Sequence, residues 1–203
     1  MTTILIVPGL RGSGPDHWQS WWEAREPRSA RAEQDDWHTP DLSRWSARVG
    51  EALGRAEAPV WLVAHSFGCL ASVHAAARHP GRVAGALLVA PANPDKFGVG
   101  PDLPAQRLPY PSLLVGSLDD PWMSFERAAD WSARWGSRLV NLGRAGHINV
   151  ESGFGPWPRG PRLLEELQHA AVSHPDAGAS RNGGASTLAD AIPPLAALAA
   201  AVG

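Results

Sequence analysis

The chain has a single cysteine, Cys69, so no intrachain disulfide can form and no Cys/His zinc cluster can be assembled. It has no excess of basic residues: the formal net charge is −2, which argues against a nucleic-acid surface or a polybasic membrane patch. No run of about 18 apolar residues occurs, so no transmembrane helix is expected. The opening stretch Met1–Gly9 lacks a basic segment and a long apolar core, and reads as a strand rather than a signal peptide. A cytoplasmic location is the resulting expectation. Internal repeats are also missing.

What remains is the material of one domain, or one domain plus a tail: 203 residues, 44% of them hydrophobic. Ten tryptophans are many for this length and are expected to serve mostly in packing, with some free to line a pocket. Ile4–Val7 ends at Pro8-Gly9 and reads as a buried strand, followed by the turn Gly9-Leu10-Arg11-Gly12-Ser13-Gly14. Asp16 is placed to cap a helix carrying His17, Trp18, Trp21 and Trp22. A second strand is expected near Ala30–Gln34, a helix over Leu42–Leu53, and a third strand over Val60–Ala64. The small residues of Cys69–Arg78 suit a helix packed closely on a sheet. Val83–Ala90, Ser112–Gly116 and Arg138–Leu142 read as three further strands, Phe125–Trp135 and Arg162–Ala171 as helices. Residues 91–110 hold five prolines and read as a surface excursion, too short for a large helical lid. This alternation implies a mostly parallel sheet of about six strands covered by helices on both faces. A domain over 1–172 is expected, with 173–203 forming a flexible linker and a weak Ala-rich tail.

The sharpest local signal is Ala64-His65-Ser66-Phe67-Gly68, after a buried strand and before a small-residue helix. A nucleophile elbow is written G-x-S-x-G; here Ala64, still small, takes the first glycine's place. Such a turn lifts the Ser66 hydroxyl off the sheet edge. It also sets the Phe67 N–H at a helix N-terminus, where a developing oxyanion is stabilised. A serine hydroxyl needs a base, and chain order in this arrangement is Ser, then Asp or Glu, then His. Of the eight histidines, only His147 follows the last strand in a loop able to reach back to Ser66. His65 reads as part of the turn, and Cys69 as a small packing residue. The acid is expected after the fifth strand, where Asp119 and Asp120 both stand. Asp120 is preferred because Pro121 fixes the chain as it leaves. Asp119 would then be a turn or cap residue, and Asp95 is a distant third. The second oxyanion donor is expected in the loop after the first strand: Leu10, with Arg11 as runner-up.

At these residues the chain resembles a known family, the small serine hydrolases of the retinoblastoma-binding protein 9 and bacterial YdeN-like type. The motifs that carry the resemblance begin with Val7-Pro8-Gly9-Leu10, Ser13-Gly14-Pro15-Asp16-His17-Trp18 and Gln34-Asp35-Asp36-Trp37. They continue with Ala64-His65-Ser66-Phe67-Gly68-Cys69, Asp119-Asp120-Pro121, and Gly146-His147-Ile148-Asn149 leading into Ser152–Pro158. The resemblance spans roughly residues 3 to 171. It implies a compact α/β-hydrolase fold, a triad on Ser66, Asp120 and His147, hydrolysis of carboxylic esters or amides, and no cofactor or metal. No Leu-x-Cys-x-Glu segment suggests the partner after which one relative is named.

Two other classes compete. Gly9, Gly12 and Gly14 after a first strand, with Glu33 further on, loosely suggest a dinucleotide-binding oxidoreductase, but the spacing is G-x-x-G-x-G and Ser66 goes unexplained. A non-catalytic interaction module on the same fold is the other alternative, which a complete Ser, Asp, His order argues against. The expected partner is a small-molecule ester or amide substrate in a fairly open cleft, with Trp18, Trp122, Phe154 and Trp157 as candidate walls.

Overall fold

Six short strands, the inner four mostly apolar and the two edge ones more polar, pair into one sheet in the order β2-β1-β3-β4-β5-β6, every neighbouring pair parallel. The computed structural model describes residues 3–173. The strands are β1 (Ile4–Val7), β2 (Ser29–Arg31), β3 (Val60–His65), β4 (Val83–Val89), β5 (Ser112–Gly116) and β6 (Arg138–Asn141). The helices are α1 (Trp18–Glu23), α2 (Leu42–Arg55), α3 (Phe67–Arg78), α4 (Phe125–Trp135) and α5 (Arg159–Ser173). Strand side chains alternate between faces, and two cores result. Leu5, Val7, Leu62, Ala64, Leu88 and Leu114 meet apolar residues of α2, α3 and α4. Ile4, Ile6, Val63, Leu87, Val89 and Val115 meet α1 and α5 on the other face.

All strands point the same way, so the loops that follow β1, β3, β5 and β6 gather at one edge. The chain runs from β1 out to β2 and returns to β3 on β1's other side. The loops after β1 and β3 therefore leave in opposite directions at neighbouring strand ends, where open parallel sheets form crevices.

Several boundaries differ from the sequence reading. β2 lies at Ser29–Arg31 rather than near Ala30–Gln34: after the Ala32 N–H bonds the Ile6 carbonyl, the chain leaves the sheet. The cap of α1 is His17, not Asp16; its Nδ1 accepts the Gln19 N–H, and its own N–H bonds Gly14 O to close the preceding turn. α3 starts at Phe67, directly from the serine, and α5 starts at Arg159, with Pro161 tolerated in its first turn. Residues 91–110 are more than a surface excursion. They form 3₁₀ turns at Pro94–Phe97 and Gly100–Asp102 and bury Leu103, Leu108 and Tyr110. Trp135 anchors them, its indole N–H bonding Pro104 O and its carbonyl accepting the Leu108 N–H. Nothing in them forms a large lid. α5 extends to Ser173; residues 174–203, which carry the expected linker and tail, lie outside the described residues. No helix among the described residues is long and apolar enough to cross a membrane.

Candidate active site

Ser66 takes φ 53° and ψ −126°, a backbone conformation that non-glycine residues adopt only when their surroundings impose it. The surroundings here are tight. The Ser66 N–H bonds Val89 O on β4, and Ser66 O accepts the Cys69 N–H. A Cβ on Gly68 would run into the Val7 and Pro8 carbonyls, and one on Gly9 would come 2.6 Å from the Ser66 Cβ. These two glycines let the loop after β1 and the elbow after β3 lie against each other. Gly12 is likewise needed inside the fold, where a Cβ would strike the Trp37 ring. Gly9 and Gly12 therefore serve packing within the loop, not a cradle for pyrophosphate.

The loop after β6 brings His147 to the serine. Its Nε2 is 2.9 Å from Ser66 Oγ, and its Nδ1 lies 2.9 and 3.0 Å from the two Asp120 oxygens. The His147 and Asp120 side chains are 8% and 3% exposed, so water competes little for this pair. Asp120 Oδ1 also accepts the Trp122 N–H, which fixes the carboxylate from behind. An acceptor at Nδ1 keeps the proton there and leaves Nε2 free to accept from the serine.

The His147 loop is fastened at several points. Asp119 Oδ1 accepts the Gly146 N–H and the Ser117 hydroxyl, each at 2.8 Å, and these bonds hold its carboxyl below the usual carboxylate range. Ser117 Oγ accepts the Ala145 N–H, Ser152 Oγ accepts the His147 N–H, and the Trp18 indole donates to Ile148 O. His65, in the turn as expected, lies against His147, its Nε2 2.9 Å from the His147 carbonyl oxygen. Asp95 stands elsewhere, paired with Arg127 at 2.7 Å. Cys69 is fully buried beside Val89 O, and burial pushes its thiol well above its ordinary value.

Two backbone N–H groups beside the elbow are unspent. Among the described residues, neither the Leu10 N–H nor the Phe67 N–H has a protein acceptor. The Arg11 N–H is already spent on Trp37 O at 2.9 Å. A cleft of about 440 Å³ opens over Ser66 and His147, walled on its apolar side by Leu10, Phe97, Trp122 and Val150. Of the four aromatic residues considered for the walls, only Trp122 lines it. Trp18 and Trp157 are buried in packing, and Phe154 packs against that core from its edge. His17, which the sequence reading placed on a helix and in a motif of the resemblance but gave no role, also lines the cleft. The signal for it was present in Asp16-His17-Trp18, but its orientation depends on the cap geometry. Among the described residues no group of three His, Cys, Asp or Glu side chains could hold a metal ion.

Comparison with known proteins bears on the family and the fold. The serine hydrolase family profile matches residues 4–166. A protein assigned as a YdeN-like hydrolase, from Pectobacterium atrosepticum, is 44% identical over 84% of this chain and 92% of its own, with a TM-score of 0.80. The ydeN gene product from B. subtilis shares the fold at 19% identity and TM-score 0.71, covering 83% of this chain and 100% of its own. Mouse alpha/beta hydrolase domain-containing protein 10 shares it at 16% identity and TM-score 0.62, covering 84% and 89%. A search of curated protein sequences finds no match. With the fold, the elbow and the profile in agreement, the chain belongs to the serine hydrolase family.

Proposed function

We propose that the protein cleaves small carboxylic esters or amides through an acyl-enzyme on Ser66. The observation that carries this reading is the chain of contacts from Ser66 Oγ to His147 Nε2 and from His147 Nδ1 to Asp120. In the first half-reaction His147 Nε2 takes the hydroxyl proton as Oγ attacks the carbonyl carbon. The carbonyl oxygen becomes an oxyanion, and the free N–H groups of Leu10 and Phe67 are the donors suited to receive it. Asp120 stabilises the imidazolium without taking its proton. His147 then gives that proton to the leaving alcohol or amine as the tetrahedral intermediate collapses. Water then attacks the acyl carbon with His147 again acting as base; as this second intermediate collapses the C–Oγ bond breaks, His147 returns the proton to Ser66 Oγ, and the acid leaves. The apolar wall of Leu10, Phe97, Trp122 and Val150 suits a short aliphatic or aromatic group, and the lack of a large lid suits an open cleft.

Labelling with a fluorophosphonate tests the nucleophile. The wild-type protein should label and hydrolyse short p-nitrophenyl esters, and Ser66→Ala should do neither while keeping its melting temperature. Undiminished labelling of Ser66→Ala would sink the assignment.

A further inference from the structure

Three histidines meet at the cleft floor, and the proposed chemistry uses one. The rings of His17 and His65 lie 4.9 Å apart, and those of His65 and His147 5.0 Å apart. His65 is accounted for by its contact with the His147 carbonyl. His17 is not. Its side chain belongs to a residue only 5% exposed, yet it lines the cleft.

The hydrogen bonds of His17 fix its tautomer. Nδ1 accepts the Gln19 N–H as the cap of α1, so this nitrogen carries no proton and the neutral ring must carry its proton on Nε2. Among the described residues that Nε2 has no partner, and it is not sealed in the interior. Burial, then the nearby Arg31 charge, then His147 lower the ring's pKa to about 4, so it stays neutral near pH 7. The ring is also held rigidly. Ser13 Oγ donates to Gln19 Oε1, and Gln19 Nε2 donates to Val7 O at the end of β1 and to Val63 O within β3. Arg31 bonds Gly12 O and Ser13 O, fixing the loop that precedes His17.

We propose that His17 Nε2–H is a substrate-positioning donor, which gives the site a preference for esters carrying an ether, hydroxyl or carbonyl oxygen beyond the reacting group. This inference rests on the hydrolase reading above. An uncharged donor suits an uncharged acceptor, and an all-carbon substrate that covers this donor and leaves it unpaired is penalised.

Isosteric ester pairs provide the test. The p-nitrophenyl esters of methoxyacetate and butyrate differ by one oxygen in the acyl part; the 2-methoxyethyl and butyl esters of one acid differ by one oxygen in the alcohol part. Wild-type protein should favour the oxygenated member of at least one pair by about 5- to 10-fold in kcat/KM, as expected for one hydrogen bond. His17→Asn and His17→Ser both retain a side chain able to cap α1 but cannot reach the cleft. They should lose that preference through a higher KM for the oxygenated ester, the kcat/KM ratio within the pair falling toward one. No preference in the wild type, or one that survives in both variants, overturns the proposal. So does an equal fall for both members of a pair, because that outcome marks a purely structural role. Failure of the wild type to hydrolyse any of the esters would remove the hydrolase reading and this inference together; hydrolysis with unchanged ratios removes this inference alone.

Discussion

Asp119 and Asp120 share a peptide bond at the end of β5, one exposed and the other covered, and they act on the same loop by different routes. Asp120 touches the His147 ring, and Asp119 touches the backbone and the serine that hold the ring's loop. Replacing the orienting carboxylate by an amide allows the wrong imidazole tautomer, which costs about 10⁴ in turnover in serine proteases. Asp120→Asn is expected to lose turnover by about 10³- to 10⁴-fold with KM and melting temperature nearly unchanged. Asp119→Asn keeps an oxygen for the Gly146 N–H and the Ser117 hydroxyl, and should cost only a few-fold. Asp119→Ala removes that acceptor and should lower both the melting temperature and turnover, a combination that marks a loop-fastening residue. Steady-state kinetics on the three variants decide this; reversed effects of the two Asn substitutions would make Asp119 the acid. The sequence favoured Asp120 only through Pro121 and the family resemblance, because a side chain's direction beyond a strand end is set by the partners it finds.

At the scale of elements, the elbow works because β1 and β3 end side by side and their loops touch. Gly68 has no room for a methyl group beside the Val7 and Pro8 carbonyls, and neither is the end of a flexible side chain. Gly68→Ala is therefore expected to push the elbow away from β1, separating Phe67 N–H from Leu10 N–H. Activity should fall at least 100-fold, the scale seen when one oxyanion donor is lost, with the melting temperature several degrees lower. Ala64 is fully buried on β3, paired between Val7 and Leu88. This part of the fold was legible in the sequence. Strand-turn-helix at Ser66 follows from an apolar run, a small-residue frame and a helix of small residues. The His147 loop follows from its place after the last strand. What the sequence did not reveal depends on contacts between distant segments. His17 rather than Asp16 caps α1 because its ring is packed against His65. Residues 91–110 pack down because Trp135 offers a donor and an acceptor to them. Prolines announce a break in regular structure but not whether the broken segment is buried.

At the scale of the whole molecule, three buried imidazoles, two at the cleft floor and one on α3, make stability sensitive to pH well above the carboxylate range. His17 titrates at about 4 when folded, His65 is fully buried and held well below its ordinary value, and His74 is lowered by burial and by Arg78. In the unfolded chain all three return to about 6.5. Below that pH the unfolded state binds protons that the folded state refuses, so stability falls as pH drops. Above it, these groups contribute no slope. For His17 alone, a displacement from 6.5 to about 4 predicts a loss of about 2 kcal/mol between pH 7.5 and pH 5. The depressed carboxyls of Asp36 and Asp119 act in the same direction, but only once pH reaches their own lower range. The acid limb of the stability curve should therefore begin near pH 6.5, two units before carboxylates titrate. Urea midpoints measured from pH 8 to pH 4.5 give that curve directly. His17→Asn keeps the cap and removes one of the suppressed imidazoles, so its midpoint should fall less steeply between pH 6.5 and 5 than that of the wild type. Identical slopes would mean that His17 accepts a proton readily in the folded protein, and with it the neutral donor at the cleft floor would be lost.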